Sequence, residues 1–72
     1  MNAIETYRKL KYDDFANDDE LHRYFMRCIN NMSEYLNQAL ADQWEYMSDE
    51  EFLEELCIRH KEIHGEEYKM DL

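Results

Sequence analysis

The sequence predicts an all-α fold: a small three-helix domain with one long central helix, its thin core open to completion by homodimerisation. Three observations carry this. Valine is absent, and isoleucine with threonine amounts to five residues, so the β-branched side chains that strands favour are scarce. Proline is absent and glycine occurs once in 72 residues, which leaves few interruptions. The apolar residues recur at the spacing that lines one face of a helix. Such a length fits a single domain over residues 1–72 and excludes doubly wound sheets, (β/α)₈ barrels and most folds with a deep catalytic cleft.

The first helix is expected over about residues 3–11, with Ile4, Tyr7 and Leu10 on one side. It is too short to persist without packing. Tyr12 to Ala16 connects onward, and Phe15 is expected to turn inward. The second helix is expected over about 18–46. Asn17 followed by Glu20 resembles a capping box, and Asp18, Asp19 and Glu20 suit the positive end of the helix dipole. Leu21, Phe25, Cys28, Met32, Tyr35 and Ala39 form a stripe, widened by Ile29, Leu36, Leu40, Trp44 and Met47. A helix of about 29 residues spans ~43 Å, more than either neighbour covers.

The third helix, over about 49–64, has the clearest punctuation. Ser48 and Glu51 are spaced as a capping box, with Met47 and Phe52 at the staple positions. Acids crowd its start, Arg59, His60, Lys61 and His64 its end, and Gly65 suits the residue after the helix. Phe52, Leu56 and Ile63 are expected inside, Leu53 and His60 beside them, and Ile58 opposite. Residues 66–72 read as a frayed tail, although Tyr68, Met70 and Leu72 alternate as an extended contact would.

Composition points two ways. Leu, Ile, Val and Phe total 14 of 72, which with high charge resembles a disordered chain. Six Tyr, five Met and one Trp raise the apolar share to 44%, and disordered chains are poor in aromatics. The balance is a folded chain with a thin core. A domain this small buries only ~60% of its unfolded surface. The 8 Lys+Arg against 18 Asp+Glu give a net charge of −10. That excess weakens the fold by self-repulsion and argues against direct nucleic-acid binding, which depends on cations displacing phosphate counterions. A basic protein partner is expected instead. No apolar window reaches the ~18 residues of a membrane span, and the opening Met1-Asn2-Ala3-Ile4-Glu5 has no signal-peptide character. The expected location is cytoplasmic, where Cys28 and Cys57 stay thiols.

Chemistry has few candidates. Cys57, His60 and His64 share one side of a helix and form an acceptable zinc set, but structural sites pair two short ligand motifs and no second motif exists. The expected arrangement is a core-bordering Cys57, a packed His60 and a His64 that neutralises the helix end. No metal or cofactor is assigned. Nucleophile elbows and glycine-rich phosphate loops are absent, both serines have structural accounts, and three small helices seldom build an apolar pocket with convergent polar groups. The chain is not expected to be an enzyme. Tyr7, Tyr12, Tyr24, Tyr35, Tyr46 and Trp44 lack the positive groove of a base-stacking platform, since Arg23 and Arg27 are the long helix's only basic pair. They read as core and interface residues.

The acids fall into two groups: Asp13, Asp14, Asp18, Asp19 and Glu20, and then Asp42, Glu45, Asp49, Glu50, Glu51, Glu54 and Glu55. With the chain reversing at Ser48, they are expected near opposite ends of the long helix. Dipole compensation accounts for some of them, but not for the scarcity of Lys and Arg. A field of one sign speeds encounter with an oppositely charged partner. Trp44, Tyr46 and Ile58 are the expected anchors, because buried aromatics carry affinity while rim charges set on-rate. In size, charge and helicity the whole chain resembles small acidic proteins of phages and mobile elements that block host nucleic-acid enzymes, including DNA-mimicking anti-restriction and anti-CRISPR proteins. The resemblance rests on no motif. It implies an inhibitor acting in the host-cell interior. The expected function is therefore a non-catalytic module that binds and blocks a basic surface of a nucleic-acid-binding protein. The alternative is a structural or regulatory helical subunit, acting through Leu21, Phe25, Met32, Tyr35 and Leu36 as a homodimer or in a hetero-complex.

Overall fold

The computed structural model describes residues 2–13, 17–32 and 34–70, without the side chains of 34–37 and 39. Helix starts leave backbone N–H groups without partners, and three of them are capped by the preceding residue. For α1 (Ala3–Lys11), the Glu5 N–H donates to Asn2 Oδ1 at 2.9 Å while the Asn2 N–H donates to the Glu5 carboxylate at 3.4 Å, a reciprocal capping box. For α2 (Asp18–Asn31), the Asn17 side chain accepts from the Glu20 N–H at 2.8 Å. For α4 (Asp49–His64), Ser48 Oγ accepts from the Glu51 N–H at 3.2 Å. That helix ends as expected at Gly65, whose φ of +75° suits the residue without a Cβ and whose N–H reaches the Lys61 carbonyl at 2.8 Å.

The expected long helix is two helices. The backbone turns extended at Met32, with ψ of 158°, and the chain resumes as α3 (Glu34–Trp44). Four helices and no strand are thus present among the described residues. The cause is partly local: Asn31 Nδ2 donates to the Arg27 carbonyl at 2.8 Å, the side-chain competition with backbone that makes Asn a poor helix-interior residue. It is also a matter of covering. A straight helix of ~43 Å would overrun α1 and α4, which are about 14 and 24 Å long at 1.5 Å per residue. The whole molecule measures only 34 Å along its longest axis. Breaking at Met32 lets Met32 and Leu40 enter one core with Phe25 and Phe52, all four buried.

Helix α4 packs against each of the other three. It contributes Phe52, Leu53, Leu56 and Cys57 to the core, facing Ala3, Ile4 and Tyr7 of α1 and Tyr24, Phe25, Cys28 and Ile29 of α2. Phe25 is the hub, with ring centres of Tyr7, Trp44 and Phe52 at 6.3, 5.6 and 6.3 Å. Met47 packs half-buried against this cluster. Ile63, expected inside, is 55% exposed. The last turn of α4 is covered on its His60 side, where Tyr68 lies 5.2 Å from the His60 ring.

The tail is packed rather than frayed as far as Met70. The Ala3 N–H donates to the Tyr68 carbonyl at 2.8 Å, and Tyr68 Oη donates to the Cys28 carbonyl at 3.4 Å. Tyr24 Oη donates to the Met70 carbonyl at 2.9 Å. Glu67 accepts from Asn2 Nδ2 at 2.8 Å and pairs with Lys61 at 2.9 Å. The alternation of Tyr68 and Met70 was therefore the informative signal. Leu72 and Phe15 lie outside the described residues, as do the side chains of Tyr35, Leu36 and Ala39.

Candidate functional site

The helix directions decide where the acids meet. Lys11, at the end of α1, pairs with Glu50 in the first turn of α4 at 3.1 Å, so α1 and α4 run antiparallel. Leu10 shares a groove of about 350 Å³ with Glu20, Arg23, Tyr24 and Arg27, which places the start of α2 beside the end of α1 as well. The N-termini of α2 and α4 consequently flank the C-terminus of α1. Helix α3 runs into the same region, ending at Trp44 just before the Ser48 cap. The two acidic groups, expected at opposite ends, converge on one end of the bundle.

Within that end the acids divide by what they touch. Glu50 binds Lys11 and lies 3.6 Å from Arg8 Nε, while Glu54 takes Arg8 Nη2 at 2.8 Å. The hydrogen bond from Lys11 holds the Glu50 carboxyl below the usual carboxylate range and pushes the Lys11 ammonium up. Glu51 accepts from the Ser48 hydroxyl at 3.1 Å, and Asp49 accepts from Trp44 Nε1 at 3.3 Å. These four carboxylates serve the fold. Asp13, Asp18, Asp19, Glu20, Asp42 and Glu45 are exposed, and Glu55 is half-buried. Asp14 lies outside the described residues.

The three expected anchors separate. Trp44 stacks on Phe52 with ring centres 4.9 Å apart and planes 9° from parallel, leaving 36% of the residue exposed at the edge of the core. Tyr46, in the turn between α3 and α4, is 84% exposed and sits among Asp42, Glu45 and Asp49 in the chain. Ile58 is exposed, but it lies about 14 Å along α4 from Asp49. There it lines a second groove with Asn2, Ile4, Glu54, Cys57, Lys61 and Glu67, so Glu54 borders it on the side of the acidic end. Tyr46 is close to acids in sequence, whereas Ile58 shares its groove with Glu54 and Glu67.

The nucleophile and metal candidates are sorted by burial. Cys28 and Cys57 face the core, and burial pushes both thiols up, Cys57 to about 12. A thiol held neutral is neither a nucleophile nor a ready metal ligand. Burial likewise raises Tyr24 strongly and takes Tyr68 to about 12, keeping both phenols neutral as donors to backbone carbonyls. Among the described residues no group of three or more His, Cys, Asp and Glu is placed to hold a metal ion. Cys57 is thus separated from His60 and His64, whose rings lie 4.5 Å apart at the surface. Sequence reasoning missed the Arg8 and Lys11 ties to Glu50 and Glu54. Their i, i+3 and i, i+4 spacings were visible, but only the antiparallel pairing of α1 and α4 matches them.

No protein-family model matches this sequence, and no curated protein or solved structure does so either. No helix among the described residues is long and apolar enough to cross a membrane.

Proposed function

We propose that the chain is a non-catalytic, cytoplasmic interaction module that docks its acidic end on a basic surface of a nucleic-acid-binding protein and excludes the natural ligand, as an inhibitor of phage or mobile-element type would. One observation carries this reading. Asp42 and Glu45 are exposed at the C-terminal end of α3, where the helix dipole disfavours negative charge, and no basic residue stands in that helix's last turn. Acids at the starts of α2 and α4 stabilise those helices, but these two do not. They lie within four residues of Tyr46 in the chain, a large exposed aromatic of the kind that anchors interfaces. Carboxylates so arranged take the place of phosphates toward Lys and Arg of the partner.

The alternative, docking through the apolar stripe, draws no support from Phe25, Cys28 and Met32, which are all buried within the single chain. Its remaining candidates are Leu21, half-buried, and Tyr35 and Leu36, whose side chains lie outside those described.

The test is competition. The protein is used to capture a basic nucleic-acid-binding partner at ~0.1 M salt, and the complex is stepped to ~1 M, where the Debye length falls to about 3 Å. The expected result is release at high salt and displacement of the partner's DNA or RNA at low salt. Asp42→Lys with Glu45→Lys should weaken capture at least tenfold without loss of helicity. A partner retained at ~1 M salt and insensitive to both reversals refutes the proposal, as does capture of further copies of this chain only.

A further inference from the structure

We propose that His60 and His64 form a two-histidine chelate for a divalent transition-metal ion, best suited to Cu²⁺. The inference is independent of the acidic end and uses the opposite end of the bundle. Residues four apart on a helix share a face, and here the two ring centres lie 4.5 Å apart with planes tilted by 42°. Metal–imidazole bonds are about 2.0–2.1 Å long, so one ion bound to both rings at about a right angle sets the ring centres about 4.5 Å apart. Right-angled coordination is the tetragonal preference of Cu²⁺ and Ni²⁺.

The chemistry of His60 is set by its neighbours. Its Nδ1 lies 3.2 Å from the Glu66 carbonyl oxygen. A carbonyl only accepts, so Nδ1 carries the hydrogen and the neutral ring presents its lone pair at Nε2. Fixing a ligand's tautomer and orientation through its other nitrogen is how metal-binding histidines are ordinarily prepared. The Tyr68 ring, 5.2 Å away and nearly edge-on, braces the same imidazole. His64 is exposed and gives the ion access. The pair stands in the last turns of α4, where the negative end of the helix dipole favours a cation. Of the two cations that flank His60 in sequence, Lys61 is paired with Glu67 at 2.9 Å and Arg59 is exposed to solvent, which screens its charge. Cys57 takes no part because it faces the core, and no third ligand of this type joins the two histidines among the described residues. Water therefore completes the coordination, and the site is an open one.

The experiment titrates the full-length, metal-free protein with Cu²⁺ by calorimetry, with electron paramagnetic resonance on the one-to-one complex, and repeats the titration with Zn²⁺. The expected result is one ion per chain, a spectrum showing two imidazole nitrogens, and Cu²⁺ bound more tightly than Zn²⁺. Cu²⁺ should also raise the melting temperature, because it binds only the folded helix turn tightly. His64→Ala should weaken Cu²⁺ at least tenfold and abolish the melting shift while leaving the circular dichroism spectrum unchanged. His22→Ala, on α2, should bind as the parent does. Should His60→Ala lose its fold with the Glu66 contact, His64→Ala alone still decides. Cu²⁺ affinity unchanged in His64→Ala, a spectrum with one nitrogen or none, or loss of binding in His22→Ala overturns the proposal.

Discussion

Replacing Trp44 by Ala should lower stability, because the ring is built into the edge of the core. It stacks on Phe52 at 4.9 Å, lies 5.6 Å from Phe25 and donates to Asp49 at 3.3 Å. Truncating a fully buried Trp costs about 3–5 kcal/mol. With 36% of the residue already exposed, about two-thirds of that is at stake, or about 2–3 kcal/mol. For 72 residues the unfolding entropy near 60 °C is about 150 cal/mol/K, so the melting temperature should fall by ~13–20 °C. That is a large share of the ~4–11 kcal/mol total expected for a chain of this length. The assay is thermal melting followed by far-ultraviolet circular dichroism, which needs no tryptophan. Trp44→Phe, which keeps a stacked ring and loses the Asp49 bond, should cost about 1 kcal/mol. Tyr46→Ala should stay within ~0.5 kcal/mol of the parent, as surface substitutions do. A Trp44→Ala protein melting within ~3 °C of the parent would refute the reasoning and return Trp44 to the free surface.

Phe25→Asp should abolish helicity in any partner's absence, because it puts a charge at a site with no exposure between three aromatic rings; retained circular dichroism would contradict the assigned core. The carboxyl of Glu67 is held below its ordinary value of 4.5, first by Lys61 and then by Asn2. Its stabilising share is thus present above that value and lost as pH falls through the lower folded-state value, so Glu67→Gln should melt with a flatter pH dependence below about pH 5. Both buried thiols should resist a soluble disulfide reagent at about pH 8 and react only as the chain unfolds; rapid reaction of Cys57 in the native protein would contradict its burial. Asp42→Lys should leave the fold equal or more stable, by up to a few degrees in melting temperature, while weakening the partner complex.

Most of the helical framework was legible. The bounds of α4 follow from short signals, Ser48 ahead of the helix and Gly65 behind it, because capping chemistry is local, whereas α1 follows from the spacing of Ile4, Tyr7 and Leu10 and its Asn2 cap was found only in the structure. The break at Met32 was harder to see. The spacing predicts one helix over about 18–46, because the apolar stripe runs on past Asn30 and Asn31. A stripe that continues in register reads alike for a straight helix and for two helices sharing one core, and only the lengths of the neighbours distinguish them. The candidate surface was less legible for the same reason. Which acids meet depends on α1 and α4 running antiparallel, and which aromatics are free depends on Phe52 lying under Trp44.

The acids at the helix starts have two accounts that no single substitution separates. Asp18, Asp19 and Glu20 favour the positive end of α2, as Asp49, Glu50 and Glu51 favour that of α4. With both ends facing the same way, the two dipoles offset part of the repulsion that so many carboxylates would otherwise cause. The fold thereby concentrates negative charge at one end while gaining stability from it. Reversing Glu50 or Glu54 would also break the Arg8 and Lys11 ties between α1 and α4, so a lost partner there is equally a loosened fold. Asp42 and Glu45 are free of this ambiguity, since they stand at the helix end where the dipole opposes them. Under the proposed function they are therefore the carboxylates to reverse first: capture lost with the fold intact would support that reading, and unchanged capture would refute it.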